Sequence, residues 1–325
     1  MLVTTPWLVP GHPAHELLTG AGVAVVHGDA RQRAQSGRSL AAVVAEADPD
    51  VVVAGTDAFT ADVLASAPRL RAVCRTGVGH DNVDVEAASA RGILVCTTPG
   101  ASARSVAEHT LGLVLACVRS LPQNAAAVRA GDWPQPAGRE LHGSVLGLVG
   151  LGGIGRIVAL LGQAFGMRVV AHDPHLDEDW AVEHGVTAVA LEELLAVSDV
   201  VSLHVGLTPA TRHLLDARAL ARMRPTAYLV NTARGGVVDE DALVAALRAG
   251  RLAGAALDTV AEEPLPARSP LRGVGNLVVT AHVGASTVQA RERCALAAVR
   301  AALEVLAGSV PETAVNAEPA VPARS

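Results

Sequence analysis

Short runs of β-branched residues alternate with Ala- and Leu-rich helical runs along most of this chain, and few folds accommodate that order. Predicted strands cover residues 51–54, 70–75, 93–96, 144–150, 168–172, 200–204, 227–231, 252–257 and 277–280. Predicted helices cover residues 61–67, 84–91, 102–119, 156–165, 191–197, 216–223, 239–249 and 288–306. Strands that alternate with helices of this length form parallel βαβ units, so the pattern predicts an α/β fold with doubly wound parallel sheets.

The length of 325 residues predicts about two domains. The helical run at residues 102–119 has no break, and residues 131–136 (GDWPQP) after it have the composition of a loop. A new series of strands and helices begins near Ser144. The sequence therefore predicts an N-terminal α/β unit, a long connecting helix and a second α/β unit, and we expect the tail after Ala317 to be frayed.

Composition excludes several functional classes. All 26 basic residues are Arg, and the formal net charge is −6, so no excess of positive charge favours nucleic acid. The absence of Lys excludes a lysine Schiff base and a Walker-A phosphate loop. No run resembles a membrane span or a signal peptide, and we expect no membrane partner. The cysteines lack metal-ligand spacing, so no metal site is predicted: Cys74, Cys96, Cys117 and Cys294. They fit the reducing conditions of a cytoplasm.

A glycine-rich turn gives the first functional signal. Gly150, Gly152 and Gly155 have GxGxxG spacing, with an apolar strand before them and an apolar helix after them. The first glycine permits a tight turn, the second lets the backbone approach a pyrophosphate, and the third lets the helix pack on the strand. The N–H groups at the start of the helix then attract the anion.

An acidic residue at the end of the next strand completes this dinucleotide-binding pattern. Asp173 follows residues 168–172, and its carboxylate is placed to accept the ribose hydroxyls. It would repel a 2′-phosphate, and no Arg follows it directly, so the pattern favours NAD over NADP. The alternative is an ordinary glycine-rich turn with an unrelated surface Asp.

Three polar stretches follow later strands, where ligands bind in doubly wound sheets. They contain Arg234, Glu263 and His282. A His is suited to take the proton from a substrate hydroxyl at neutral pH, and a neighbouring carboxylate orients it. An Arg binds a substrate carboxylate with two parallel hydrogen bonds. From chemistry alone, a loop Arg, a surface Glu and a turn His remain an equal alternative.

Beyond these residues, the chain resembles the D-isomer-specific 2-hydroxyacid dehydrogenase family over nearly its whole length. The resemblance rests on the glycine-rich turn, the three polar stretches and four further segments, GVGHDNVD at 77–84, TPG at 98–100, SVAE at 105–108 and HVGLTP at 204–209. It implies that Arg234 binds the carboxylate and carbonyl of the substrate. It also implies that His282 is the acid–base residue, that Glu263 pairs with it, and that Asp258 contacts the nicotinamide side of the cofactor.

The resemblance extends the set of expected cofactor contacts. That set is Gly150, Gly152, Gly153, Ile154, Gly155, Asp173, His204, Thr232 and Asp258. Four histidines in or near the motif segments are interpreted as packing or loop residues: His80, His109, His142 and His204. His204 is also in the set of expected cofactor contacts.

The family's architecture implies a particular domain order. A Rossmann NAD-binding domain, residues 99–287, is inserted into a flavodoxin-like substrate-binding domain formed by residues 1–98 and 288–325. The family also implies a homodimer formed through the nucleotide domain.

The substrate is expected to be a small 2-hydroxy or 2-keto acid. Gly77, Val78 and Gly79 offer backbone N–H groups for its carboxylate, and Arg75 lies just before them, where a second anionic group such as a phosphate would bind. Residues 75–79 and 282–287 are similar to D-3-phosphoglycerate dehydrogenases, here in a short form without a C-terminal regulatory domain. Because Arg at this position also occurs in relatives that use glyoxylate or hydroxypyruvate, a hydroxypyruvate or glyoxylate reductase stays an alternative.

Four positions depart from the usual family pattern. Thr97 and Ser102 stand where Asn is usual, and Gly206 and Ala281 where Pro is common. The first two lie near the substrate-side loop and weaken any transfer of substrate identity. Two other hypotheses remain: an NAD(H)-sensing binding protein like the family's corepressors, and an NAD enzyme of different chemistry on a similar fold.

Overall fold

The computed structural model describes residues 1–317, and the tail that we expected to be frayed after Ala317 lies outside them. The chain divides into two units. Unit 1 is Met1–Ser102 with the described part of Thr287–Ser325, and unit 2 is Ala103–Ser286. The predicted domain boundaries were placed after residue 98 and before residue 288. The substrate-binding role of unit 1 stays a prediction.

The strands of the described residues are β1 (Leu2–Val3), β2 (Val26–His27), β3 (Val51–Ala54), β4 (Ala72–Arg75), β5 (Leu94–Cys96), β6 (Val145–Val149), β7 (Arg168–His172), β8 (Thr187–Ala188), β9 (Val200–Leu203), β10 (Tyr228–Asn231), β11 (Gly254–Leu257) and β12 (Leu277–Val279). The helices are α1 (Pro13–Gly20), α2 (Ala30–Ser36), α3 (Leu40–Ala47), α4 (Ala61–Ala65), α5 (Val85–Ala90), α6 (Ala103–Val118), α7 (Leu121–Arg129), α8 (Gly153–Ala164), α9 (Glu178–Glu183), α10 (Leu191–Val197), α11 (Ala217–Leu220), α12 (Glu240–Arg248) and α13 (Val288–Leu306).

Unit 1 is built on a parallel sheet with the order β2-β1-β3-β4-β5 among its described residues. Strands β3 and β4 are buried throughout, as expected for strands covered by helices on both faces. One face packs against α3, α4 and α5 through residues such as Val44 and Leu64. The other packs against α1 and α13 through residues such as Leu18 and Val299. This strand order is the flavodoxin-like one.

Unit 2 is built on a second parallel sheet, and its described strands follow the order β12-β11-β10-β9-β6-β7-β8. Strand β6 is central and fully buried, and the sheet continues outward from it in both directions. Because the strand order reverses at β6, a crevice for a ligand forms at the carboxyl end of this strand. The two topologies confirm the predicted fold class of two doubly wound parallel sheets.

Side-chain caps explain where many of the helices begin. The hydroxyl or carboxylate at each of these N-caps accepts a backbone N–H of the first turn, which satisfies donors that lack a partner within the helix. Such caps are Asp29, Ser39, Thr60, Asp84, Asp177, Asp216, Asp239 and Thr287.

The connecting helix was predicted, and a second helix follows it that was not. Helix α6, Ala103–Val118, agrees with the helix predicted over residues 102–119, but the α7 that follows it at an angle of 62° was not predicted. No residue of α7 is buried, whereas α6 is largely buried in unit 2. Within residues 1–317 no single helix is long and apolar enough to span a membrane, although α6 and α7 taken together satisfy that length and composition.

Candidate active site

The glycine-rich turn between β6 and α8 contains two kinds of glycine. A Cβ on Gly150, whose φ is +96°, would lie 2.5 Å from the carbonyl oxygen of His204, and one on Gly155 would lie 2.3 Å from that of Gly150. The fold itself therefore requires these two glycines. At Gly152 and Gly153 a Cβ would meet no atom within 4 Å. Gly152 caps α8 without a side chain, so the start of this helix is open to an anion.

Asp173 lies beside this turn, directly after β7. Its Oδ2 accepts the N–H of Leu151 at 2.8 Å, and its Oδ1 accepts the N–H of His175 at 2.9 Å. The two bonds fix the carboxylate at the edge of the glycine-rich turn. Each oxygen keeps a further lone pair, which a ribose hydroxyl can use.

His204 and Thr232, two further expected cofactor contacts, lie at the ends of neighbouring strands. The His204 Nε2 is 2.9 Å from the Ser202 hydroxyl, and burial lowers the pKa of this imidazole to about 4. The ring is therefore neutral at physiological pH, and the expected contact of His204 with the cofactor stays a prediction. Thr232 is buried directly after β10.

The loop that carries Arg234 is fixed by its own backbone contacts. Asn231 at the end of β10 is buried, and its amide donates to the Arg234 carbonyl at 2.8 Å and accepts the Ala233 N–H at 3.0 Å. A Cβ on Gly235 would lie 2.0 Å from the carbonyl carbon of Val260, so the loop packs tightly against the segment after β11. The positive charge of Arg234 contributes to lowering the pKa of Glu263, which follows in that segment.

Glu263 and His282 form a direct pair, with Nδ1 of the ring 2.8 Å from Oε2 of the carboxylate. Glu263 also accepts the N–H of Val260 through Oε1 at 3.2 Å. Burial opposes ionisation of Glu263, but its hydrogen bond and charge interaction with His282, the Val260 N–H and Arg234 hold the pKa of its carboxyl below the ordinary value. Because Nδ1–H donates to the carboxylate, Nε2 is left to exchange a proton with a ligand. The structure thus brings Arg234, Glu263 and His282 together.

Asp258 fixes the loop that carries His282. Its backbone carbonyl accepts the N–H of His282 at 2.7 Å, while Oδ1 accepts that of Val283 at 2.9 Å and Oδ2 that of Gly284 at 2.8 Å. Burial opposes ionisation, but hydrogen bonds from two side chains and from these two N–H groups hold the pKa of Asp258 well below its ordinary value. The carboxylate is therefore an ionised anchor, and its expected contact with nicotinamide stays a prediction.

The two side chains that bind this carboxylate are His109 and Thr280. The Thr280 hydroxyl donates to Oδ1 at 2.5 Å, and Nε2 of His109 is 3.2 Å from the same oxygen. His109 lies on α6, 149 residues before Asp258, and was interpreted from the sequence as a packing residue. Only its position directly after the SVAE segment pointed to it, since no spacing rule connects residues so far apart.

The expected substrate residues lie in unit 1, at the end of β4. Arg75 is buried, and its Nε and one terminal nitrogen donate to the carbonyl of Gly79 at 3.2 and 3.0 Å. The carbonyl of Gly77 accepts the N–H of Thr98 at 3.0 Å, and Val78 is exposed between the two glycines. Arg75 therefore helps to shape this loop, and its role as a phosphate ligand stays a prediction.

Within residues 1–317 no group of three or more His, Cys, Asp or Glu side chains is arranged to hold a metal ion.

Comparisons with known proteins agree with this geometry. Residues 111–284 match the family model for the D-isomer specific 2-hydroxyacid dehydrogenase, NAD binding domain. The D-3-phosphoglycerate dehydrogenase of Methanocaldococcus jannaschii is 42% identical over 276 residues, which are 84% of this chain and 52% of that protein. The glyoxylate reductase of Thermofilum pendens is also 42% identical, over 272 residues that are 81% of this chain and 80% of that protein.

Among solved structures, the D-lactate dehydrogenase from Aquifex aeolicus complexed with NAD and lactic acid is similar throughout. Its TM-score is 0.83 at 28% identity, and the match covers 98% of this chain and 99% of that one. The chain spans about half of the length of the D-3-phosphoglycerate dehydrogenases that it matches.

Proposed function

Because the chain belongs to the D-isomer specific 2-hydroxyacid dehydrogenase family, as its motifs indicated, we propose that it is an NAD-dependent oxidoreductase acting on the CH–OH group of a small D-2-hydroxy acid, or on the corresponding 2-keto acid in reverse. One observation carries the proposal. The Glu263–His282 pair, joined at 2.8 Å, lies near Arg234 in the unit that contains the NAD-binding domain.

The residues present fit the cofactor. Gly152 and Gly153 leave open space at the start of α8 for a pyrophosphate, and Asp173 stands fixed beside them for the adenosine ribose. NAD, when bound, supplies the hydride acceptor for oxidation and the reduced form supplies the donor for reduction. The carboxylate of Asp173 favours NAD over NADP because it would repel a 2′-phosphate.

The protein's own groups then act on the substrate. Arg234 binds the carboxylate and the C2 oxygen of the substrate. His282 takes the hydroxyl proton at Nε2 during oxidation and returns it during reduction. Glu263 fixes the tautomer and orientation of the ring through Nδ1 and stabilises its protonated form.

Two substrate classes remain in competition. The relatives with 42% identity include both a D-3-phosphoglycerate dehydrogenase and a glyoxylate reductase. Arg75 is the residue whose chemistry would favour the phosphorylated acid. In the structure Arg75 donates to the carbonyl of Gly79 and so helps to hold its own loop. This structural use of the guanidinium favours an unphosphorylated short acid, such as hydroxypyruvate or glyoxylate, as the second candidate.

The experiment measures NADH consumption by the purified protein with five acids: 3-phosphohydroxypyruvate, hydroxypyruvate, glyoxylate, pyruvate and 2-oxoglutarate. We expect turnover with at least one, and a kcat/KM for NADPH at least about tenfold below that for NADH. A clear preference for the phosphorylated acid identifies a phosphoglycerate dehydrogenase, and the opposite preference identifies a keto-acid reductase. Tight NADH binding without turnover on any of them contradicts the enzyme proposal and favours an NAD(H)-sensing protein.

We also propose a homodimer and a cytoplasmic location. Leu121 and Val128 of α7 are 53% and 41% exposed, and Trp133 in the loop after it is 76% exposed. A second copy would cover this apolar surface. A measured mass of about twice the 33.1 kDa of one chain would support the dimer, and a monomer would refute it.

The proposed cytoplasmic location is supported by the cysteines. In the described residues all four are buried and form no disulfide, which suits a reducing compartment.

A further inference from the structure

Two consecutive residues of α6 each contact a different loop of the candidate active site. His109 contacts the side chains of Asp258 and Thr280, which hold the loop of residues 280–284, here called the His282 loop. Thr110 contacts Thr232 in the loop of residues 231–235, here called the Arg234 loop. One helix is therefore connected to both loops.

The direction of the Thr110 contact follows from a second bond. The Thr110 hydroxyl donates to the carbonyl of Val106 at 2.8 Å, one turn earlier in α6. Its oxygen is then the acceptor in the contact with the Thr232 hydroxyl, which lies 2.9 Å away in a buried position. Removing the Thr110 hydroxyl is costly, because the buried Thr232 hydroxyl would lose the acceptor for its proton. Thr232 stands two residues before Arg234, so this bond fixes the start of the Arg234 loop.

The direction of the His109 contact is also determined. Asp258 is ionised and accepts only, so the Nε2 of His109, 3.2 Å from Oδ1, carries the proton. The same nitrogen is 3.4 Å from the Thr280 hydroxyl, two residues before His282. His109 therefore supplies a donor to the carboxylate on which the His282 loop depends.

The His282 loop needs that support because His282 has an unfavourable backbone conformation. Its φ of +51° lies in the left-handed region, which residues other than glycine rarely adopt. The Asp258 carbonyl and carboxylate compensate by accepting three successive backbone N–H groups, those of His282, Val283 and Gly284. A rotated Asp258 carboxylate would release two of these bonds, and the His282 backbone would then relax.

We propose that His109 and Thr110 are positioning residues that connect the His282 loop and the Arg234 loop to α6 and so hold the acid–base group and the substrate-binding cation at a fixed separation. The proposal rests on the function proposed above, because it assigns a purpose to that separation. Neither residue touches the substrate in this scheme. Each acts through a loop, His109 on the proton-transfer group and Thr110 on the group that binds the substrate carboxylate.

The two residues should therefore have different kinetic effects. We expect H109A to lower kcat by about 10- to 100-fold, since small misplacements of a reacting group are costly, with little change in NADH affinity. H109Q keeps an N–H donor at similar reach and should recover most of the loss. T110V keeps the shape of Thr but lacks the hydroxyl, and should raise the KM for the 2-keto acid by about tenfold with kcat within about twofold. T110S keeps the hydroxyl and should behave like the wild type.

Hydrogen exchange of the backbone amides tests the same connections without turnover. H109A should speed exchange at residues 282–284, and T110V at residues 233–237, each by about tenfold or more, whereas H109Q and T110S should not. If H109A does not fold, H109N replaces it, because its side chain is too short to reach Asp258. Wild-type protein without turnover on any acid would refute the proposed function, while the exchange data would still test the connections.

The proposal is overturned if the exchange rates of the two loops stay unchanged in folded H109A and T110V. It is also overturned if Gln at position 109 is as damaging as Ala, because a lost donor would not then be the cause. Equal effects of H109A and T110V on kcat and KM would likewise contradict it.

Discussion

Two carboxylate–histidine pairs in unit 2 have the same chemistry and contrasting surroundings. In Glu263–His282 the side chains are 38% and 34% exposed, and in Asp258–His109 they are 2% and 24% exposed. The exposed pair has one direct bond between ring and carboxylate and a ring nitrogen left over for a ligand. In the buried pair the carboxylate is surrounded by donors from the protein. The difference in burial separates a pair that keeps a ring nitrogen for a ligand from a carboxylate that is held as a fixed anchor.

The largest expected effect tests whether the exposed pair transfers the proton. We expect His282→Ala to lower kcat by about 10³-fold, within the range for loss of a general acid–base group, while NADH still binds and the fold is retained. Steady-state turnover with the best 2-keto acid and NADH titration by fluorescence measure the two quantities. A kcat within about tenfold of the wild type would show that the exposed pair does not carry the chemistry.

A smaller effect, on stability, tests whether the buried pair is an anchor. Asp258→Asn should lower the free energy of unfolding by about 3 kcal/mol, because it removes a buried charge with several donors. The pKa of Asp258 is lower in the folded than in the unfolded chain, so its stabilisation is complete above pH about 5 and is lost as the pH falls below the unfolded value of about 3.9.

Urea unfolding at a series of pH values checks this prediction. The difference in stability between the wild type and Asp258→Asn should be constant from pH 8 to about 5 and should shrink below about 4. A difference that grows as the pH falls would have the wrong sign for a carboxylate with a lowered pKa and would remove the distinction between the pairs.

The smallest effect concerns the half-exposed carboxylate. Glu263→Gln should lower kcat by about tenfold and leave stability almost unchanged, because an exposed ion pair contributes little to folding. The pKa of Glu263 is lowered, so its carboxyl stays ionised at neutral pH. The ratio of wild-type kcat to variant kcat should therefore stay constant down to about pH 5 and fall towards one below about pH 4. A large loss of stability in this variant, measured by urea unfolding, would make the two pairs equivalent.

Strand ends were the informative part of the sequence. Arg234, Glu263 and His282 were singled out because polar residues after buried strands of a parallel sheet lie at one edge, and the structure places them together there. Gly150 and Gly155 followed from the same reasoning, and the atoms that a Cβ would meet explain them. These predictions rest on local patterns within a few residues of each strand.

Other features leave no local pattern. The contact between His109 and Asp258 connects a helix to a strand end far along the chain, and only the folded structure reveals it. No prediction was made for β1 and β2, which have two residues each, too few to show a period. Helix α7 was not predicted because it buries no residue, so no core-facing apolar period marks where it begins and ends.

The return of the chain to unit 1 has a consequence for its synthesis. Helix α13 packs with α1 on one face of the first sheet, and Arg71, directly before β4, donates to the carbonyl of Val305, 234 residues later. While the ribosome makes unit 2, the apolar face containing Val51, Val53 and Ala72 lacks the part of its cover that α13 provides. The second unit in the sequence can therefore finish folding first, and the nascent first unit needs protection from aggregation until α13 emerges.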